Sequence, residues 1–344
     1  MRKADQILAD KILSHQINVL RFTAGERKQV FDLLMQMQIE LKAKLLNGLS
    51  DYGKSRVRVV LSQCEKAIKE FYTDMAGVTD YFELARHEAK ITADAIATIG
   101  LSASMPTENA LKAIVNGSVI EGAPSAAWWA KQSQDTAFKF AAQVRQGIAQ
   151  GETVYQIVTR IIGSKKYGTP GVMHALRRNA WALVHTSVQQ VANDARLATF
   201  RENADILKGL KFLATLDAHT SNICIAHSGA EWDMEGKPIR GNFPFRSPPL
   251  HFNCRSVLVP ITKTYRELGV DIEEVSKGTR ASDLGQIPSD TTFEGFLARH
   301  DAEYVDKLLG PGRAMLWRDG KITLQDLVDG HGRELTLKQL TKIA

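Results

Sequence analysis

Val30, Leu33, Leu34, Met37, Leu41 and Leu45 recur at three- and four-residue steps, the spacing that lines up one face of an α-helix. The pattern continues well beyond them. It predicts helices over about Arg56–Asp74, Thr79–Ile99, Glu108–Val115, Ser125–Gln146, Thr153–Ile162 and Gly171–Glu202, with Gly48 and Gly168-Thr169-Pro170 among the breaks. Thr23-Ala24-Gly25-Glu26 has the form of a capping box and marks the expected start of the first helix. Helices in succession must bury their apolar stripes against one another. Residues 1–100 are therefore expected as an N-terminal helical bundle, and residues 101–207 as a central region with long helices. Cys64 falls within a helical pattern and reads as a small buried hydrophobe; Trp128 and Trp129 read as core anchors.

The texture changes after Lys208. Leu210–Leu216 and Cys254–Ile261 read as strands, the second with β-branched Val257, Val259 and Ile261. Glu235-Gly236-Lys237-Pro238 and Ser247-Pro248-Pro249 are turn sequences between them. Residues 208–265 are thus expected as a hairpin-like module, and residues 266–344 as a tail. In that tail Ile272–Asp290 reads as loop, and Thr292–Leu309 and Leu324–Val328 as short helices. The fold class expected is mainly α with a small β-containing C-terminal module (α+β).

Composition narrows the function classes. The net charge is +6, unevenly placed: residues 101–210 hold 12 basic against 7 acidic residues, and residues 211–344 hold 17 against 18. Lys165, Lys166, Arg177 and Arg178 fall in the basic stretch and are candidates for phosphate contact, against the plainer reading of a solvated helix face. Asp5, Asp10 and Lys11 interrupt the apolar positions of the N-terminus, so neither a signal peptide nor a membrane segment is expected, and synthesis and folding in the cytoplasm follow. Three cysteines, Cys64, Cys224 and Cys254, are too few for a secreted disulfide scaffold.

The informative residues lie in two clusters. The first is Asp217-Ala218-His219-Thr220-Ser221-Asn222-Ile223-Cys224-Ile225-Ala226-His227-Ser228-Gly229; the second is Pro248-Pro249-Leu250-His251-Phe252-Asn253-Cys254-Arg255. Cys224-x-x-His227 and His251-x-x-Cys254 have the tight spacing of zinc ligands, and thiolate with imidazole is a donor set that a tetrahedral zinc accepts. A structural zinc on Cys224, His227, His251 and Cys254 is one reading. The other is a metal-free knot in which the two cysteines pack together and His251 hydrogen-bonds the loop; no cofactor is required. Asp217 and Thr220 suit hydrogen bonds to a turn backbone, Pro248 and Pro249 stiffen the return loop, and Arg255 suits a carboxylate partner.

Asp217, Thr220-Ser221, Cys224, a turn containing Gly229, and then Pro248-Pro249-x-His251-x-Asn253-Cys254-Arg255 resemble the signature of the phage Mu F-like head-morphogenesis proteins. His185-Thr186-Ser187 resembles a step in the helix that precedes that signature. Phe293-Glu294-Gly295-Phe296-Leu297, Leu308-Leu309-Gly310, Leu316-Trp317-Arg318 and Leu335-Thr336-Leu337 resemble the family's tail. The resemblance covers about residues 125–344 and departs at His227 and at Ser256, where many relatives carry cysteine. It implies a minor head protein of a tailed phage, inside the virion at the portal vertex. The implied partners are the portal, major capsid or scaffolding protein and packaged double-stranded DNA held without sequence preference; residues 1–100 lie outside the resemblance, and their helical pattern suits them as the contacting arm that packs on a helical partner. It implies no catalysis. The alternatives are a metal-dependent nuclease using His251 and Asn253, and an assembly factor absent from the finished particle. An effector-enzyme reading lacks a catalytic motif in residues 262–344.

Overall fold

The computed structural model describes residues 3–49, 53–163, 171–264, 267–268, 279–288 and 291–344. Helices come first: α1 (Lys3–Gly48), α2 (Lys54–Ala76), α3 (Tyr81–Ala97), α4 (Glu108–Gly117), α5 (Ser125–Ala149), α6 (Val154–Ile162) and α7 (Gly171–Glu202). Strands β1 (Leu207–Leu213), β2 (Glu231–Asp233), β3 (Pro238–Arg240) and β4 (Val257–Thr262) follow, with α8 (Asn222–His227) between β1 and β2. After β4 come β5 (Thr279–Ser282), β6 (Gly285–Pro288), α9 (Phe293–Leu297), α10 (Ala302–Leu309), α11 (Pro311–Arg318), a 3-10 turn at Gln325–Leu327 and α12 (Leu337–Ile343). The molecule is mainly α with a small antiparallel sheet, the class expected from its sequence.

Several helix limits follow from local chemistry, with side-chain caps at the starts of α6, α8, α9, α10 and α12. Thr153 caps α6 through a reciprocal capping box with Gln156, and Gly163 follows its last turn with φ 90°. The first helix departs from expectation. It does not begin at Thr23: α1 runs unbroken from Lys3, and Thr23 and Glu26 are buried mid-helix. Leu8, Ile12 and Val19 extend the apolar face upstream. The Glu26 carboxylate accepts from Thr79 Oγ1 (2.5 Å) and from Gln29 (3.2 Å), not from a helix-terminal N–H. Residues 279–288, expected as loop, form a hairpin turned by Gly285 at φ 86°.

The chain divides into two compact units. One comprises Leu20–Tyr81 and Gly117–Val188; the other comprises Met1–Val19, Phe82–Asn116 and Gln189–Ala344. In the first, α2 and α5 pack together, with Tyr72 Oη within 2.8 Å of Thr136 Oγ1 and its ring edge-on to Trp129 at 6.1 Å. Cys64 is fully buried there, and burial pushes its thiol up to about 12. Trp129 is core, whereas Trp128 is half-buried and donates its indole N–H to Ile120 O (2.9 Å). Gly147 lets α6 approach α5, since a Cβ at that position would lie 2.6 Å from Ile157.

In the second unit the sheet order is β3-β2-β1-β4, all antiparallel, with Phe212 opposite Leu258 and Leu210 opposite Trp232. The central strand is buried on both faces, hence its apolar run. Its core includes Leu8 and Ile12 of α1, Ile96 of α3, Phe200 of α7, and Phe296 and Leu309 of the tail. A polar network is buried in the same unit. Arg196 donates to Glu88 (2.9 Å) and to Gln16 (3.0 Å), His15 Nε2 lies 2.6 Å from Glu88, and Gln16 donates to Gln189 (2.6 Å).

Candidate functional site

The site is assembled where the chain leaves β1, enters α8, and later returns through residues 248–256 into β4. Asp217 anchors the first turn. Its carboxylate accepts the His219 N–H (2.9 Å) and both ends of the Arg255 guanidinium (2.6 and 2.7 Å), a fork-to-carboxylate pairing. Burial acts to raise the Asp217 pKa, but Arg255 and the turn N–H outweigh it and hold the group below its ordinary value. Thr220 closes the turn by donating to Thr215 O. Ser221 caps α8 by accepting the Cys224 N–H (3.3 Å). Gly229, at φ 86°, turns the chain into β2 and donates its N–H to Phe212 O (2.9 Å).

The return loop carries a cis peptide bond between Pro248 and Pro249. His251 follows, and Asn253 takes the left-handed conformation at φ 63°. Cys254 closes a turn by donating its N–H to His251 O (3.1 Å).

Three side chains converge between these segments. Cys224 Sγ lies 3.6 Å from Cys254 Sγ and 3.2 Å from His251 Nε2. The donor atoms of Cys224, His251 and Cys254 all lie within 4.8 Å of one another. Ser221 Oγ is 2.7 Å from His251 Nε2, and His251 Nδ1 is 2.8 Å from Phe252 O. A carbonyl only accepts, so Nδ1 carries the proton and the Nε2 lone pair faces the thiols. Both cysteines are buried. In the hydrogen-bonded pair Cys254 is the more acidic thiol, favoured by Cys224 and then by His251, while Cys224 is pushed up by Cys254 and by burial.

His227 lies outside this group. It is fully buried, donates Nδ1–H to Ile223 O (2.8 Å), and stacks on Phe243 with ring centres 4.5 Å apart. Burial, with Arg246 adding to it, holds its pKa below the ordinary histidine value. Gly332 closes over the ring: a Cβ there would lie 3.0 Å from His227 Cε1 and 2.8 Å from Arg246. Chemically, the cluster can hold a soft or borderline cation, or remain a neutral hydrogen-bonded knot. It is poorly disposed for a general base of the nuclease type, because both His251 nitrogens are engaged within it and Asn253 is exposed on the turn.

Arg177 sits over the Phe31 ring at 4.6 Å and within 3.2 Å of Met35 Sδ, while Arg178 is exposed. Lys165 and Lys166 lie outside the described residues. An open cleft of about 530 Å³, lined by Lys54, Arg58 and Arg145 with Leu61, Glu65 and Ile148, contains none of the residues nominated from sequence. The run Lys54-Ser55-Arg56-Val57-Arg58 was the available signal. No described helix is long and apolar enough to cross a membrane.

Comparison with known proteins gives one family: residues 139–259 match the family described as Phage Mu protein F like protein. That segment runs from α5 through β4 and includes the whole Cys/His cluster. No curated protein and no solved structure matches the chain.

Proposed function

From the premise that residues 139–259 are a Phage Mu protein F-like region, we propose that the chain is a minor head protein of a tailed bacteriophage. In this reading it binds the portal inside the head, works in head morphogenesis and in DNA packaging or ejection, and performs no catalysis. The family match is the observation that carries the reading. Two features support it. Helices of residues 1–100 carry exposed apolar side chains at Phe22, Ile39 and Val59 suited to helix–helix contact with a portal, capsid or scaffolding protein. The cleft at Lys54, Arg58 and Arg145, with exposed Arg178, offers positive charge to packaged DNA, a contact that would be independent of sequence and weakened by salt.

The test is quantitative mass spectrometry of purified DNA-filled particles, with the abundance of this chain normalised to portal. A few copies per portal ring are expected. Absence from mature particles would replace the virion component with a transient assembly factor. For the DNA contact, fluorescence anisotropy with duplex DNA of unrelated sequences should give equal, salt-sensitive binding, weakened when Lys54, Arg58 and Arg145 are changed together to alanine.

A further inference from the structure

We propose that Cys224, His251 and Cys254 form a binding site for a zinc-class divalent ion, with His227 excluded from it. Zn–S bonds of about 2.3 Å and Zn–N bonds of about 2.05 Å place two sulfurs of a tetrahedron about 3.8 Å apart, and a sulfur and a nitrogen about 3.6 Å apart. The separations of 3.6 Å for Cys224–Cys254 and 3.2 Å for Cys224–His251 come close to those edges. A small outward adjustment admits the ion.

The imidazole is in the form such an ion needs. Phe252 O accepts the hydrogen bond from Nδ1–H and so leaves the Nε2 lone pair facing the thiols; a carbonyl partner of this kind fixes the ligating tautomer of a metal-bound histidine. Charge also closes. Two thiolates and a neutral imidazole balance a 2+ ion, and the adjacent Asp217–Arg255 pair is neutral in itself, so no net charge is buried. Binding replaces the two S–H bonds with metal–sulfur bonds and releases two protons to solvent. The fourth position falls to water or to the Ser221 hydroxyl, which gives up its hydrogen bond to Nε2 when the ion enters. Ser256 is buried two residues beyond Cys254, so a cysteine at position 256 would bring a third thiol close to the group.

The experiment uses the full chain, reduced and stripped with a chelator, titrated with cobalt(II) and then with zinc(II) against a chromophoric chelator. One equivalent of cobalt should produce thiolate-to-metal charge-transfer absorption and d–d bands of tetrahedral intensity. Calorimetry in buffers of different ionisation enthalpy should find about two protons released per zinc, as two thiols require. Cys254→Ser should weaken zinc binding on the order of a hundredfold or more, His227→Leu should leave it within about threefold, and Ser256→Cys should strengthen it. If Cys254→Ser does not fold, the contrast between Ser256→Cys and His227→Leu decides. Absence of charge-transfer absorption in the reduced chain, or weaker binding in His227→Leu than in Cys254→Ser, would overturn the site. A Cys224–Cys254 disulfide in protein isolated without air would do the same.

Discussion

The two compact units bury their polar groups differently. In the unit of Leu20–Tyr81 and Gly117–Val188, Glu26 and His185 are the buried carboxylate and imidazole among the described residues, and Glu26 is held by the neutral groups of Thr79 and Gln29 on a helical frame with Leu34, Leu41, Ile68 and Phe140 in the interior. The other unit buries Asp5, Glu88 and Arg196, several amides and His227. Apolar burial tolerates repacking, whereas a buried ion needs its own partner in place. The first unit should therefore lose stability in proportion to volume removed, and the second according to which partner is lost.

The largest effect should come from Arg196→Leu. Burial acts to raise the Glu88 pKa, but Arg196, with help from His15, holds it low; removing the guanidinium strands that charge at a cost of about 3–5 kcal/mol. Denaturant unfolding measures it, and the double variant with Glu88→Leu should recover much of the loss. A cost below about 1 kcal/mol for Arg196→Leu would remove the distinction between the units. Leu41→Ala should cost about 3 kcal/mol through transfer and cavity terms alone, with no change in the pH dependence of unfolding.

Gly209→Ala tests the sheet. A Cβ there would lie 2.2 Å from the Trp232 carbonyl oxygen, so β1 and β2 must separate, at a cost of about 1–3 kcal/mol; thermal melting and the Trp232 fluorescence should both shift.

The smallest effect is a pH effect. Because the folded His227 pKa is depressed, the unfolded chain takes up the proton first as pH falls. Its contribution is intact above the ordinary value of 6.5 and is lost as pH falls below it. Arg246 opposes the imidazolium and Cys254 favours it. Melting temperatures at pH 7.5 and 5.5 should converge in His227→Leu relative to the parent chain; an unchanged difference would assign the acid sensitivity to other groups.

Much of the helical frame was legible. Ser125, Thr153 and Gly171 are the predicted and observed starts of α5, the α6 cap and α7, because each begins at a chemical signal: a proline before it, a capping hydroxyl, a glycine after a break. Thr23–Glu26 carried the same kind of signal without the outcome, since a capping sequence is overruled when the helix on its N-terminal side has an apolar face of its own. The hairpin at 279–288 gave little alternation to read, with Ile287 its buried apolar anchor. α11 starts at Pro311 in the N1 position, a signal that was present but unused.

At the site, spacing nominated four ligands, and geometry gathers three. Cys224 and His227 are three residues apart on α8, but the bond from His227 to Ile223 O turns its ring toward Phe243. No one-dimensional spacing contains that choice. The Glu88–Arg196 pair is 108 residues apart in sequence and was illegible for the same reason.

Gly332 has a consequence beyond its own loop. Its bare α-carbon lets the 329–334 segment lie directly on His227, while Arg246 reaches Gly332 O (3.4 Å) and Asn222 donates to Glu334 (2.8 Å). The tail is therefore a latch over the α8 end of the knot. Opening it exposes the buried imidazole and removes two hydrogen bonds, so tail and knot should open together as one cooperative substructure. The amides of Gly332 and Leu335, bonded to Asp329 O and Leu327 O, should then exchange hydrogen at the rate of the knot rather than at the rate of a chain end.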